Sequence, residues 1–96
     1  PTLPGVTHDL AIVVDESVSY EQLVQRIGSA GGKLLADVRL FDVYRDPVRV
    51  GKGKKSMAFS LTYRAADRTL TSEEVEKAHE KLVNKVLRAT GGEVRS

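Results

Sequence analysis

Asp42 and Tyr44 stand two residues apart in the stretch Leu40-Phe41-Asp42-Val43-Tyr44. A second stretch, Gly53-Lys54-Lys55-Ser56-Met57-Ala58-Phe59-Ser60, follows after a basic loop. Both read as β-strands, and the loop makes them a hairpin. Alternate residues of a strand share a face. If Phe41 and Val43 join Phe59 and Leu61 in the core, then Leu40, Asp42 and Tyr44 lie on the opposite face, beside Ser56, Ala58, Ser60 and Arg64. That grouping suits an unstacked nucleobase. The tyrosine ring offers a stacking platform, worth about 1–3 kcal/mol. Asp42 can accept hydrogen bonds from a base edge, such as guanine N1–H and N2–H, and the small side chains of Ser56, Ala58 and Ser60 leave room for the base. Lys54, Lys55 and Arg64 can take the phosphates. The same residues also have a purely structural reading, with Tyr44 packed at a strand end and Asp42 a solvated carboxylate.

Other chemistries find less support. Gly51-Lys52-Gly53-Lys54-Lys55-Ser56 looks phosphate-friendly, but it lacks the Walker spacing and opens a strand rather than a helix. His8 and His79 are far apart in the chain, with no partner at metal-ligand spacing. No nucleophile–base arrangement or singled-out carboxylate pair is visible, so no catalytic site is expected within these residues. Lys77, Lys81, Lys85 and Arg88 read most simply as a solvated helix face. Generic single-strand binding of the RRM kind needs exposed aromatics on the central strands, where this chain has Ala11, Val13, Ala58 and Ser60.

The frame must fit in 96 residues, of which 41% are hydrophobic and 29% charged, a balance that suits one globular domain. No apolar run approaches the ~20 residues of a membrane span. The absence of cysteine removes disulfides and thiolate metal sites and favours a cytoplasmic setting. The chain opens Pro1-Thr2-Leu3-Pro4 with no initiator methionine, and is expected to be a segment of a larger parent. Net charge is +2, unevenly spread: residues 1–44 net −3, residues 45–68 net +5, and residues 69–96 net zero. The basic middle segment can meet phosphate, or can simply keep a loop soluble.

Periodicity supplies the elements that position the hairpin. Residues 1–8 read as an arm or linker from a preceding domain, and residues 9–96 as the domain itself. Asp9 to Val14 is a central strand, with Leu10, Ile12 and Val14 on one face and Ala11 and Val13 on the other. Ser19 caps a helix running to about Ala30, in a capping box with Gln22 and with an apolar stripe of Tyr20, Leu23, Val24 and Ile27. Leu34 to Tyr44 is a long strand. The loop from Arg45 to Gly53, with Pro47, is too long for a tight turn and is expected to be mobile. Lys54 to Arg64 alternates most clearly, with Met57, Phe59, Leu61 and Tyr63 on the core side. Thr71 and Glu74 form a second capping box, and Val75, Ala78, Leu82, Val83 and Val86 the buried stripe of its helix. Glu93 to Arg95 is a short last strand or a tail. The order β-α-β-β-α-β predicts an α+β, ferredoxin-like fold: a four-stranded antiparallel sheet with two helices on one face and the other face open.

Phe41-Asp42-Val43-Tyr44, Gly53-Lys54-Lys55-Ser56-Met57-Ala58-Phe59 and Arg68-Thr69-Leu70-Thr71-Ser72-Glu73-Glu74-Val75 occur in this order. Together they resemble the ferredoxin-fold anticodon-binding domain that ends the beta subunit of bacterial phenylalanyl-tRNA synthetase. The resemblance runs from Pro4 to Arg95. It implies binding to the anticodon region of phenylalanine tRNA, with Tyr44 stacking on the first anticodon base and Asp42 contacting its edge. It also implies partners, namely the remaining beta-subunit domains and an alpha subunit in a heterotetramer. The parent ligase uses ATP and magnesium; aminoacylation takes place in the alpha subunit and editing in another beta-subunit domain, and no cofactor is implied here. Two positions depart from the family pattern. His8-Asp9 replaces a usual Arg-Asp pair, which implies a weaker and pH-dependent contact if that contact is to phosphate. Arg45-Asp46-Pro47 stands where a glycine often follows the tyrosine, so contacts from Arg49 and Lys52 do not carry over.

Two other classes of function fit the same sequence. One is a protein–protein docking module of a multisubunit enzyme, with the basic loop only solubilising. The other is a small-molecule regulatory domain of the same shape, which needs a pocket.

Overall fold

The computed structural model describes residues 4–95. Its elements are β1 (Val6–Asp15), α1 (Tyr20–Gly31), a 3-10 turn (Gly32–Leu34), β2 (Leu35–Tyr44), a π-helical turn (Pro47–Gly51), β3 (Lys54–Tyr63), α2 (Ser72–Thr90) and β4 (Glu93–Val94). The sheet runs β2-β3-β1-β4. Every pairing is antiparallel. This is the expected ferredoxin-like arrangement, with β1 and β3 central. Residues 1–3 of the expected arm lie outside the described residues. Val6, Thr7 and His8, also assigned to the arm, instead pair with Tyr63, Thr62 and Leu61 as the start of β1.

Local chemistry sets both helix starts. The Ser19 hydroxyl accepts from the Gln22 N–H at 3.1 Å while the Gln22 amide oxygen accepts from the Ser19 N–H at 2.8 Å. Thr71 and Glu74 exchange the same pair of bonds, each at 3.1 Å. Two otherwise orphaned donors are thus satisfied at each helix entrance. Gly91 ends α2 with φ 69°, a left-handed conformation that suits glycine, and its N–H returns to the Leu87 carbonyl.

Packing follows the alternation in the strands. Leu10, Ile12 and Val14 from β1 join Met57, Phe59, Leu61 and Tyr63 from β3 in one core with Leu23, Ile27, Val75, Leu82 and Val86 from the helices. Tyr20, placed in the apolar stripe of α1, is 43% exposed at the helix start.

Strand β2 breaks parity. Leu40 pairs with Phe59 but Asp42 pairs with Ala58, so Phe41 is the extra residue of a β-bulge. Neither Phe41 nor Val43 joins the core: they are 55% and 39% exposed. Leu40, assigned to the open face, instead faces the helices opposite Phe59 and packs on the core. Asp42 and Tyr44 do reach the open face, because the bulge restores their phase.

His8 and His79 meet across 71 positions of sequence. Their rings stack with centroids 4.7 Å apart and planes 20° from parallel. The Tyr63 hydroxyl lies 2.7 Å from His79 Nδ1. His8 pairs with Leu61, which places it on the helix side of the sheet. Parallel rings do not converge on one ion, and no group of three metal-ligating side chains occurs among the described residues.

Burial lowers the His79 pKa, with the neighbouring His8 acting in the same direction, and burial pushes Tyr63 up to about 12. The folded chain therefore binds the His79 proton less readily than the unfolded chain does. Stability is full above the ordinary histidine value near ~6.5 and falls as pH drops below it. Asp15, Glu16, Asp46 and Glu74 all have lowered values and titrate below this window. Urea denaturation at pH 7.5 and 5.5 should show a loss of stability at the lower pH, and His79→Gln should flatten most of it.

Candidate nucleic-acid interface

Cross-strand register orders the open face into rows. Tyr44 pairs with Ser56, Ser56 with Val13, and Val13 with Glu93. In the next row Asp42 pairs with Ala58 and Ala58 with Ala11. The Ala11 carbonyl accepts from the Arg95 N–H at 2.9 Å, which brings Arg95 to the end of that row. Further along come Arg39, Ser60 and Asp9, then Asp37, Thr62 and Thr7. Small residues occupy the middle of the first two rows, and larger polar or charged side chains stand at the ends.

Tyr44 is held at three points. Its backbone pairs with Ser56. Its hydroxyl donates to Asp46 Oδ2 at 3.0 Å. The Arg95 guanidinium lies 4.5 Å from its ring centroid, a cation–π contact. Ser56 is only 2% exposed beneath this end of the face. The ring that the sequence offers as a free stacking platform therefore already carries a cation.

The hairpin tip, expected as a mobile loop, is a built turn. Asp46 Oδ1 accepts from the Val48 N–H at 2.9 Å and the Arg49 N–H at 3.1 Å. The Asp46 carbonyl accepts from the Val50 N–H at 2.8 Å and the Gly51 N–H at 3.1 Å. The N–H groups of Arg49 and Val48, followed by the Tyr44 hydroxyl, hold the Asp46 carboxyl below the usual carboxylate range. Pro47 at the first helical positions suits this turn, since it has no N–H to satisfy. Arg49 and Lys52 are thus displayed on an ordered tip and are exposed.

The two adjacent lysines part company. Lys54 pairs with Asp15 on the open side and is exposed. Lys55 pairs with Val14, so it faces the helices, and is only 7% exposed. Its Nζ sits 3.2 Å from Glu16 Oε2. Arg45 grips the same carboxylate with Nε on Oε1 and with Nη2 3.0 Å from Oε2. Arg45, then Lys55, lower the Glu16 pKa to about 2, so Glu16 is ionised at neutral pH and engages both cations. Lys55 consequently lies away from the Tyr44 surface.

The sequence-selected residues do not form one compact cluster. Asp42, Tyr44, Lys54 and Ser56 share the hairpin end of the open face. Ser60 lies roughly 13 Å along the chain direction from Ser56, and Arg64 roughly 26 Å, at ~3.3 Å per residue. Arg64 stands beyond the end of β3 near Gly5, where its Nη2 is 3.2 Å from the position a Cβ on Gly5 would take. Sequence reasoning missed Arg95. Its signal would have been the alternation from Glu93 to Arg95, which has meaning only once β4 is known to lie beside β1.

The family model for the ferredoxin-fold anticodon binding domain matches residues 1–95. The phenylalanine–tRNA ligase beta subunit of Symbiobacterium thermophilum is 51% identical over 96 residues, covering 100% of this chain and 10% of that protein. The beta subunit from Shouchella clausii is 47% identical over 96 residues, covering 100% of this chain and 12% of the relative. That from Clostridium tetani is 43% identical over 95 residues, covering 99% and 12%. This chain thus spans 10–12% of the length of these relatives.

Proposed function

The chain belongs to the ferredoxin-fold anticodon-binding domains, and from that membership we propose that it binds the anticodon region of phenylalanine tRNA as a segment of a phenylalanine–tRNA ligase beta subunit. The observation that carries this reading is the pairing of Tyr44 with Arg95 at the hairpin end of an open face of small residues. A base stacks on Tyr44, Asp42 accepts from its edge, and Lys54, with Arg49 and Lys52 on the tip, meets the phosphates. Lys55 supports the hairpin through Glu16. Ser60 and Arg64 meet only RNA that extends along the sheet. Val6 to His8 serve as strand. Aminoacylation, ATP and magnesium belong to other parts of the parent, including an alpha subunit. No group of three His, Cys, Asp or Glu side chains converges among the described residues. No described helix is long and apolar enough to cross a membrane.

The test is a comparison of two RNA hairpins, one carrying the phenylalanine anticodon and one with its first base changed. Wild type should prefer the first, and Asp42→Asn should narrow the preference, since an amide replaces one of the two acceptor oxygens. Equal binding of both hairpins by the wild type would sink the reading.

A docking role alongside RNA binding draws support from the apolar residues beside this end. Phe41 is 55% exposed, and Val48, on the tip, 93% exposed. If they contact another domain of the parent enzyme, Phe41→Ser should loosen that contact without altering the preference between hairpins.

A further inference from the structure

The helix layer, on the side of the sheet away from Tyr44, carries a cationic groove. Lys77, Lys81 and Lys85 follow one another at four-residue spacing on α2, about 6 Å apart along the axis. They line one groove with Ala30, Gly31 and Ala78, and Lys85 continues into an adjoining groove with Arg26 of α1. None of these four cations has an ion-pair partner within 4.0 Å among the described residues. Glu74 lies at the end of the groove, but its carboxylate is held by Arg68 and by the Thr71 N–H. Like charges four apart on a helix repel. The row therefore has no close ion-pair partner among the described residues.

We propose that this groove takes the phosphate backbone of an RNA strand, as a site separate from the open face. The sheet stands between the two faces, so they engage different stretches of backbone. The choice of RNA rests on the nucleic-acid reading of the family, and the groove's own chemistry agrees with it. Three of the four cations are lysines, which meet phosphates as mobile point charges. Protein interfaces place aromatic anchors at their centre and deplete lysine there. This groove differs: beside its lysines the apolar lining is Ala30, Leu34 and Ala78, and no aromatic side chain lines it among the described residues.

The test uses the 96-residue chain and a labelled twelve-residue oligouridylate, titrated across a range of salt concentrations. Each phosphate neutralised on a single strand contributes about −0.7 to the slope of log Kobs against log salt. The triple variant Lys77→Gln, Lys81→Gln, Lys85→Gln should make the slope shallower by about 2. The triple lysine-to-arginine variant should keep it, which separates charge from folding. An unchanged slope in the glutamine variant overturns the proposal. So does an oligoglutamate peptide that binds through these lysines when oligouridylate does not, an outcome that would assign the groove to an acidic protein surface. The open-face reading fails independently, if the two anticodon hairpins bind alike.

Discussion

Replacing Tyr44 with alanine should weaken binding of the anticodon hairpin by about 1–3 kcal/mol, the range for one base–aromatic stack. The loss should be larger for the native first base than for a changed one. The geometry sharpens this expectation, because the ring already faces the Arg95 guanidinium at 4.5 Å. A cation–π contact at an exposed site is worth about 0.5–1 kcal/mol. Stacking with a base is worth more, so under the proposed reading a base should displace Arg95 and release its charge toward the RNA backbone. Tyr44→Phe separates ring from hydroxyl. It removes the bond to Asp46, yet Asp46 keeps its bonds from Val48 and Arg49. Affinity of the phenylalanine variant should therefore stay near wild type, measured by fluorescence anisotropy on the same hairpins. Equal losses with both hairpins in the alanine variant would assign Tyr44 to the fold or to a general contact. No loss with either would remove it from the interface.

Phe59→Ala should cost about 3–5 kcal/mol of folding stability. Phe59 is fully buried, at 0% exposed, in a cross-strand row between Leu10 and Leu40. Core aromatics removed at such sites leave both lost transfer energy and a cavity. Against a total of about 5–15 kcal/mol for an ordinary domain, that is a large fraction. The matched control is Phe41→Ala, the same chemical change on the next strand. Phe41 is the bulge residue and is 55% exposed, so its loss should stay within about 0.5 kcal/mol. Urea midpoints at constant m-value measure both. Comparable losses at the two positions would mean that Phe41 is buried and that the β2 bulge is not where the register puts it.

Those two phenylalanines also mark where reading the sequence stopped. Alternation along β3 and β1 predicted their buried faces, because an unbroken strand repeats every two residues and the face follows from counting. Both capping boxes were legible for the same reason: Ser19 with Gln22, and Thr71 with Glu74, interact within one turn, so no distant residue decides them. The β-α-β-β-α-β order, and with it the ferredoxin-like fold, came from such local signals.

Long-range pairing decided the rest. The extra residue at Phe41 shifts the phase of β2, so Leu40 turns inward while Asp42 and Tyr44 stay outward. Counting along the strand cannot show a bulge, because a bulge is defined by the partner strand. Lys54 and Lys55 look alike in sequence, but pairing with Asp15 and Val14 puts them on opposite faces, and Glu16 claims the second. His8 meets His79 only because α2 crosses the helix side of the sheet. Arg95 reaches Tyr44 because β4 pairs with β1 and the intervening Ala11, Ala58 and Ser56 are small enough to leave the path clear. The chemistry available at this face was therefore written in residue types, and which residues share it was decided by contacts between strands distant in the chain.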